Sequence, residues 1–63
     1  MTAIIILNWN NANDTISCLD SLVNSKGDFR VYLVDNGSVD NSLSQLEYWV
    51  KNHQEIDVVL IPL

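Results

Sequence analysis

The stretch VYLVDNGSVDNS, residues 31–42, decides the fold because four apolar residues lead directly into a carboxylate and then into a polar turn. A short run rich in β-branched side chains, without polar alternation, is typical of a strand buried on both faces of a parallel sheet. Gly37 is suited to the positive φ that a tight turn requires. Asp35 precedes the turn and lies well ahead of any helix start, so local capping explains it poorly. We therefore predict a buried strand that ends on a functional carboxylate.

Two further apolar runs of the same kind lie at equal distances along the chain. IIIL begins at residue 4, VYLV at residue 31 and VVLI at residue 58, so successive runs start 27 residues apart. Between them, apolar residues recur with helical spacing, and the pattern returns after the same interval. The first set is Ile16, Leu19, Leu22 and Val23, and the second is Leu43, Leu46, Trp49 and Val50. The repeat predicts the element order β-α-β-α-β.

This order predicts an α/β fold with a three-stranded parallel sheet. Crossover connections are right-handed in almost all proteins, so two steps in one direction give the strand order 1-2-3 with both helices on one face. We expect Asn13 or Asp14 to cap the first helix, and Ser42 to cap the second in a capping box with Gln45. The opposite face would be bare although its side chains are apolar. A coincidental repeat, or short turns of buried helix, are the alternatives to this interpretation.

Composition and charge exclude several classes of function. The chain has 63 residues, of which 48% are hydrophobic, and this predicts one small folded domain. A net charge of -5 lacks the basic footprint of a nucleic-acid-binding protein. No apolar run is long enough to cross a membrane, and the first ten residues lack the basic start of a signal peptide, so we expect a cytoplasmic location. The single cysteine, Cys18, cannot form an intramolecular disulfide.

Polar loops follow the first two strands, with the sequences NWNNAND and DNGSVDNS. Ligands of open parallel sheets bind beyond the carboxyl ends of the strands, so these loops are the predicted site. Neither loop contains the glycine fingerprint of a dinucleotide-binding protein or a P-loop. Helix capping and turn formation are the alternative, and they explain Asn13, Asp14, Asp40 and Ser42 better than they explain Asp35.

The two loops together resemble the start of inverting family 2 glycosyltransferases, which have the GT-A fold. Members begin with an apolar strand that ends in Asn-Tyr-Asn or a similar sequence, and here the sequence is IIILNWN. Their second strand ends in Asp-Asp-Gly-Ser-x-Asp or Asp-Asn-x-Ser-x-Asp, and here it ends in DNGSVD. The resemblance extends over the whole chain. It implies that residues 1–63 are the N-terminal, nucleotide-binding part of a GT-A (Rossmann-like) domain, which we expect to be incomplete.

The resemblance also implies roles for individual residues. Trp9 stands where the family usually has a Tyr, and would stack on a base; packing beneath its own loop is the equal alternative. Asp35 and Asn36 stand where the paired acidic positions of the family contact the base or ribose. Asn36 in place of a second Asp resembles the rhamnosyltransferase branch and suggests a dTDP-sugar donor. The implied nucleotide-binding residues are Asn8, Trp9, Asn10, Asp35, Asn36 and Ser38.

The implied reaction is hexosyl transfer from a nucleotide-sugar donor to a hydroxyl acceptor with inversion, as in polysaccharide biosynthesis. The family's divalent cation, Mg²⁺ or Mn²⁺, is held by an Asp-x-Asp after a later strand, and its catalytic base lies further on. We expect both beyond Leu63, so this segment is expected to hold no catalytic or metal-binding residue and to be inactive alone. The alternative is a non-catalytic remnant or interaction module that self-associates through the bare sheet face. Its partner is then the remainder of a longer chain or a second copy.

Overall fold

The computed structural model describes all of residues 1–63 and has the predicted alternation of strands and helices. The strands are β1 (Thr2–Asn8), β2 (Phe29–Asp35) and β3 (Val58–Pro62). The helices are α1 (Ala12–Val23), between β1 and β2, and α2 (Ser42–Lys51), between β2 and β3. Neither helix has the length and apolar character that crossing a membrane requires. The α/β class and the β-α-β-α-β order are confirmed.

The three strands form a single parallel sheet in the order β1-β2-β3. Its register follows the sequence repeat, because Thr2 pairs with Phe29 and Val31 pairs with Val58. Residues one repeat apart along the chain are therefore neighbours across the sheet. The same register places Asn8 beside Asp35, where β1 and β2 both end.

The core lies between the helices and one face of the sheet. Val31 and Leu33 of β2 are fully buried there, together with Leu19 of α1 and Leu46 of α2. Burying one such side chain contributes roughly 1.5–3 kcal/mol. The complete buried apolar cluster is Ala12, Leu19, Val31, Leu33, Leu46 and Trp49. Because this cluster is small, each member carries a large share of the stability.

Trp49 joins the two helices. Its ring is 5% exposed, and its Nε1 donates a hydrogen bond to Oδ1 of Asp20 on α1 at 2.9 Å. A buried indole N–H needs such a partner. The imidazole of His53 stacks on the Trp49 ring with a centroid distance of 4.0 Å, and so covers it at the end of α2.

The second face of the sheet is bare, as the strand order predicted. Ile5 and Leu7 of β1 are each 70% exposed, and Val59 of β3 is 37% exposed. The register places Tyr32 in the same row as Ile5 and Val59, and Val34 in the same row as Leu7. This apolar surface, which we call the open face, comprises Ile5, Leu7, Tyr32, Val34, Val59 and Ile61.

The helix starts differ from the prediction. The N-cap of α1 is Asn11 rather than Asn13 or Asp14, and the N-cap of α2 is Asn41 rather than Ser42. Both helices begin earlier than predicted, and their first residues, Ala12 and Ser42, are buried at 5% and 1% exposure. Gln45 does reach back, but its Nε2 donates to the side-chain Oδ1 of Asn41 at 2.7 Å. Neither N-cap side chain bonds a backbone N–H of its helix.

Candidate functional site

The ends of β1 and β2 carry a buried amide–carboxylate pair. Asn8 is 1% exposed and Asp35 is 2% exposed, because both side chains point to the helix-covered side of the sheet. Nδ2 of Asn8 donates to Oδ1 of Asp35 at 2.9 Å. Oδ1 of Asn8 accepts from the hydroxyl of Thr15 on α1 at 2.6 Å. The Asn8 amide thus donates and accepts at once, and it connects both strand ends to the first helix.

The carboxylate of Asp35 accepts hydrogen bonds only from donors within the chain. The hydroxyl of Ser38 donates to Oδ1 at 2.5 Å, and the Ser38 backbone N–H donates to Oδ2 at 3.3 Å. Desolvation on burial raises the pKa of Asp35, but the hydrogen bonds from Ser38 and Asn8 outweigh it and hold that pKa below its ordinary value. Asp35 is therefore ionised at neutral pH and holds the turn after β2 in place.

The loop after β1 and the turn after β2 are joined by hydrogen bonds. Oγ of Ser38 accepts from the backbone N–H of Asn10 at 2.9 Å. Oδ1 of Asn10 accepts from the backbone N–H of Val39 at 2.8 Å. Asn10 has a φ of 50°, a left-handed conformation that Asn adopts more readily than most residues. These reciprocal bonds join the two polar loops into one hydrogen-bonded unit.

Trp9 and Asn36, two of the predicted nucleotide-binding residues, lie at the surface of this unit. Trp9 is 64% exposed and does not pack beneath its loop. The Asn36 side chain is exposed, while its backbone N–H donates to the Asn8 carbonyl oxygen at 2.8 Å and extends the strand pairing. Gly37 follows with a φ of 69°, which turns the chain away. An aromatic ring and an amide are thus presented to solvent from a fixed backbone.

The structure thereby divides the six residues that the resemblance implied into two groups. Asn8, Asn10, Asp35 and Ser38 hydrogen-bond one another and form the internal network. Trp9 and Asn36 are exposed beside it. Sequence analysis missed Thr15, which is 6% exposed and belongs to the network. Its spacing of three residues from Ala12 and four from Leu19, both buried, indicates the buried side of α1.

The residues present do not fit a divalent cation. No group of three or more His, Cys, Asp or Glu side chains lies together in the way that a metal site requires. Asp35 uses both carboxylate oxygens in internal hydrogen bonds. A cavity of about 250 Å³ at the opposite end of the strands includes Asp28 and Asp57 in its lining, but Asp57 is paired with Arg30 at 2.8 Å.

A parallel β-α-β-α-β unit with polar side chains gathered at the carboxyl ends of its strands defines the start of a Rossmann-like α/β fold. The model for the family described as Glycosyl transferase family 2 matches residues 3–63, which is nearly the whole chain. The chain therefore belongs to glycosyl transferase family 2, and its fold is consistent with the start of a GT-A domain. No curated protein and no solved structure matches it.

Proposed function

We propose that residues 1–63 form the nucleotide-binding part of a GT-A domain that transfers a hexosyl group from a nucleotide-sugar donor to a hydroxyl acceptor. Family membership supports the reaction class. The observation that carries the role of this segment is the exposure of Trp9 and Asn36 beside two hydrogen-bonded loops at the carboxyl ends of β1 and β2. Ligands of open parallel sheets bind at that position.

In this proposal Trp9 and Asn36 contact the nucleotide. Stacking of an aromatic side chain on a base contributes roughly 1–3 kcal/mol, and the exposed ring of Trp9 is free to stack. The amide of Asn36 both donates and accepts, so it complements the imide edge of thymine or uracil, which has an N–H between two carbonyl groups. Both bases have this edge, so the choice of a dTDP-sugar donor rests on the resemblance to the rhamnosyltransferase branch.

The other four residues position the first two. Asp35 acts through its hydrogen bonds to Ser38 and Asn8, because both its oxygens already have donors within the chain. Asn10 joins the loop that carries Trp9 to the turn that follows Asn36. Losing any of these bonds would loosen the pocket without removing a group that touches the nucleotide.

The chemistry at the sugar is not assigned to this segment. Its residues do not fit the Mg²⁺ or Mn²⁺ that the resemblance implies, so in this proposal the segment does not hold the cation. We expect the 63-residue chain to show only background hydrolysis when incubated with nucleotide-sugars, either cation and an acceptor. Transfer above background that disappears in Asp35→Ala would contradict this expectation. A setting in cytoplasmic polysaccharide biosynthesis is part of the same proposal.

A second candidate function is supported by the open face. Ile5 and Leu7 expose 70% of their surface side by side on one edge strand, which is unusual for a monomer. The chain would then act as an interaction module that pairs through this face, either with further chain or with a second copy. This role is compatible with nucleotide binding, because the loops lie at the strand ends rather than on the face.

The experiment that tests the first proposal is a titration of the chain with dTDP and UDP, followed by amide NMR shifts. We expect shifts first in residues 8–10 and 35–38. Trp9→Ala should weaken binding by about tenfold or more, whereas Tyr48→Ala, which removes an equally exposed aromatic from α2, should leave it unchanged. Shifts confined to the two helices would exclude the proposed pocket.

A further inference from the structure

A groove between α1 and α2 has one polar half and one apolar half. The polar half is a cavity of about 150 Å³ at the N-terminal ends of the two helices, and Ala12 is the one apolar residue in its lining. The apolar half is a cavity of about 350 Å³ beside Ile16, Tyr48 and Trp49. Asn41 and Gln45 line both cavities, so the two halves adjoin.

Ser42 supplies an unused hydroxyl to the polar half. The residue is 1% exposed, and its backbone N–H donates to Oδ1 of Asp40 at 2.8 Å. Its hydroxyl has no hydrogen-bond partner within the chain. Ser42 is among the residues that line the polar half, so its hydroxyl lies at the wall of the groove. A nearly buried hydroxyl facing a cavity is suited to a polar ligand group.

The rest of the polar half indicates an uncharged, hydroxyl-bearing group. Amide side chains from Asn11, Asn13 and Asn41 line it, and amides donate and accept as sugar hydroxyls do. Asp40 adds a carboxylate, which accepts from hydroxyls and repels anions. No Lys or Arg lines either cavity, and the net charge is -5, so a phosphate or sulfate group is disfavoured.

The apolar half indicates that the ligand carries a hydrocarbon chain attached to its hydroxyl-bearing group. Tyr48 is 72% exposed along this half, and Ile16 is half-buried opposite it. A free sugar in the polar half would leave these side chains in water. An amphiphile with an apolar chain would cover them while its head remains among the amides.

We propose that this groove binds an uncharged amphiphile with a polyhydroxylated head and a single apolar chain. The head hydrogen-bonds Ser42 and the neighbouring amides, and the chain lies along Ile16 and Tyr48. The site adjoins the loops that carry Trp9 and Asn36 at Asn10, which lines the polar half, but it does not depend on nucleotide binding.

The test uses octyl β-D-glucoside, below the concentration at which it forms micelles, added to the isotope-labelled chain. We expect saturable amide shifts in Asn11, Ser42, Gln45 and Tyr48. Free glucose and octyl sulfate should bind at least about tenfold more weakly. Glucose lacks the apolar chain, and octyl sulfate lacks the uncharged head with its hydroxyl groups. Equal binding of octyl sulfate would overturn the proposal. Shifts centred on the open face would also overturn it, because they would reveal unspecific binding of the octyl chain.

Two serine variants test whether the sugar head of the glucoside binds at Ser42. Ser42→Ala removes the hydroxyl and keeps the β-carbon at the first position of α2, and it should weaken glucoside binding about fivefold. Ser25→Ala is the matched control, because Ser25 lies in the turn after α1, at the other end of the molecule. Equal affinity of the two variants, with unfolding midpoints like that of the parent chain, would exclude the proposed head site.

Discussion

Replacing Asp35 by Asn is expected to destabilise the fold strongly although the two side chains have nearly the same shape. The groups that bond the carboxylate are all donors: the Ser38 hydroxyl at 2.5 Å, the Asn8 amide at 2.9 Å and the Ser38 N–H at 3.3 Å. An amide has a single acceptor oxygen, and its NH₂ would face one of these donors. The substitution therefore removes bonds to a charged acceptor and places donor against donor in a buried site.

The magnitude follows from these contacts. A hydrogen bond to a charged group contributes about 1.5–3 kcal/mol, and a buried donor left without a partner costs about 1–3 kcal/mol. Losing one to two such bonds gives a destabilisation of about 3 kcal/mol. A domain of this size has a total stability of roughly 3–9 kcal/mol. Asp35→Asn should therefore remove a large fraction of it.

Urea unfolding followed by circular dichroism measures this effect. With a slope of about 1 kcal/mol per molar urea, the midpoint should fall by about 3 M, or the variant should be unfolded without urea. Asp40→Asn is the matched control, because Asp40 is exposed and bonds one backbone N–H, which an Asn oxygen also accepts. A midpoint for Asp35→Asn no lower than that of Asp40→Asn would refute the reasoning.

The difference in stability between the parent chain and Asp35→Asn is expected to depend on pH. The pKa of Asp35 is lower in the folded than in the unfolded chain, so its stabilising effect is complete above the ordinary carboxyl pKa. That effect is lost as the pH falls below about 4 and through the folded pKa. The stability difference between the parent chain and Asp35→Asn should therefore shrink in acid. A difference that stays constant from neutral pH to pH 2 would contradict an ionised, internally bonded Asp35.

The remaining predictions concern single contacts. Thr15→Val keeps the shape but removes the bond to Asn8, and should cost about 1–2 kcal/mol in urea unfolding; no change would exclude Thr15 from the network. Gly37→Ala meets no atom within 4 Å but retains a φ of 69°, so it should cost about 1 kcal/mol, measured in the same way, and a gain in stability would contradict that backbone conformation. Leu7→Lys should lower the apparent mass in sedimentation equilibrium while changing stability little, because Leu7 is 70% exposed; unchanged association would exclude the open face as the interface.

The parallel sheet could be predicted because both its signals, the apolar runs and their repeat, can be seen in the sequence itself. The apolar runs mark strands buried on both sides, and the repeat sets their register, so Val31 lies beside Val58 as the interval implies. The helix starts could not be derived from capping preferences alone. They coincide with two small residues that the fold buries, Ala12 and Ser42, and the local sequence does not mark that burial.

The internal role of Asp35 was indicated in part by the sequence. Residues alternate between the two faces of a strand, so Asp35 shares a face with Val31 and Leu33, and all three are buried under the helices. Because VYLV is apolar on both faces, however, the sequence alone did not show which face the helices would cover. The Ser38 donor to Asp35 could not be identified in advance, because the contact depends on how the turn at Gly37 directs the chain.

The most direct test of the central claim is an isotope-filtered NOE experiment on the labelled chain with bound dTDP. We expect contacts from the thymine protons to the Trp9 ring and from the nucleotide to the side-chain amide of Asn36. We also expect the Asn8 side-chain amide, bonded to Asp35 in the network, to keep its position on binding. Contacts confined to the groove between α1 and α2, or a thymine ring without any contact to Trp9, would contradict the account.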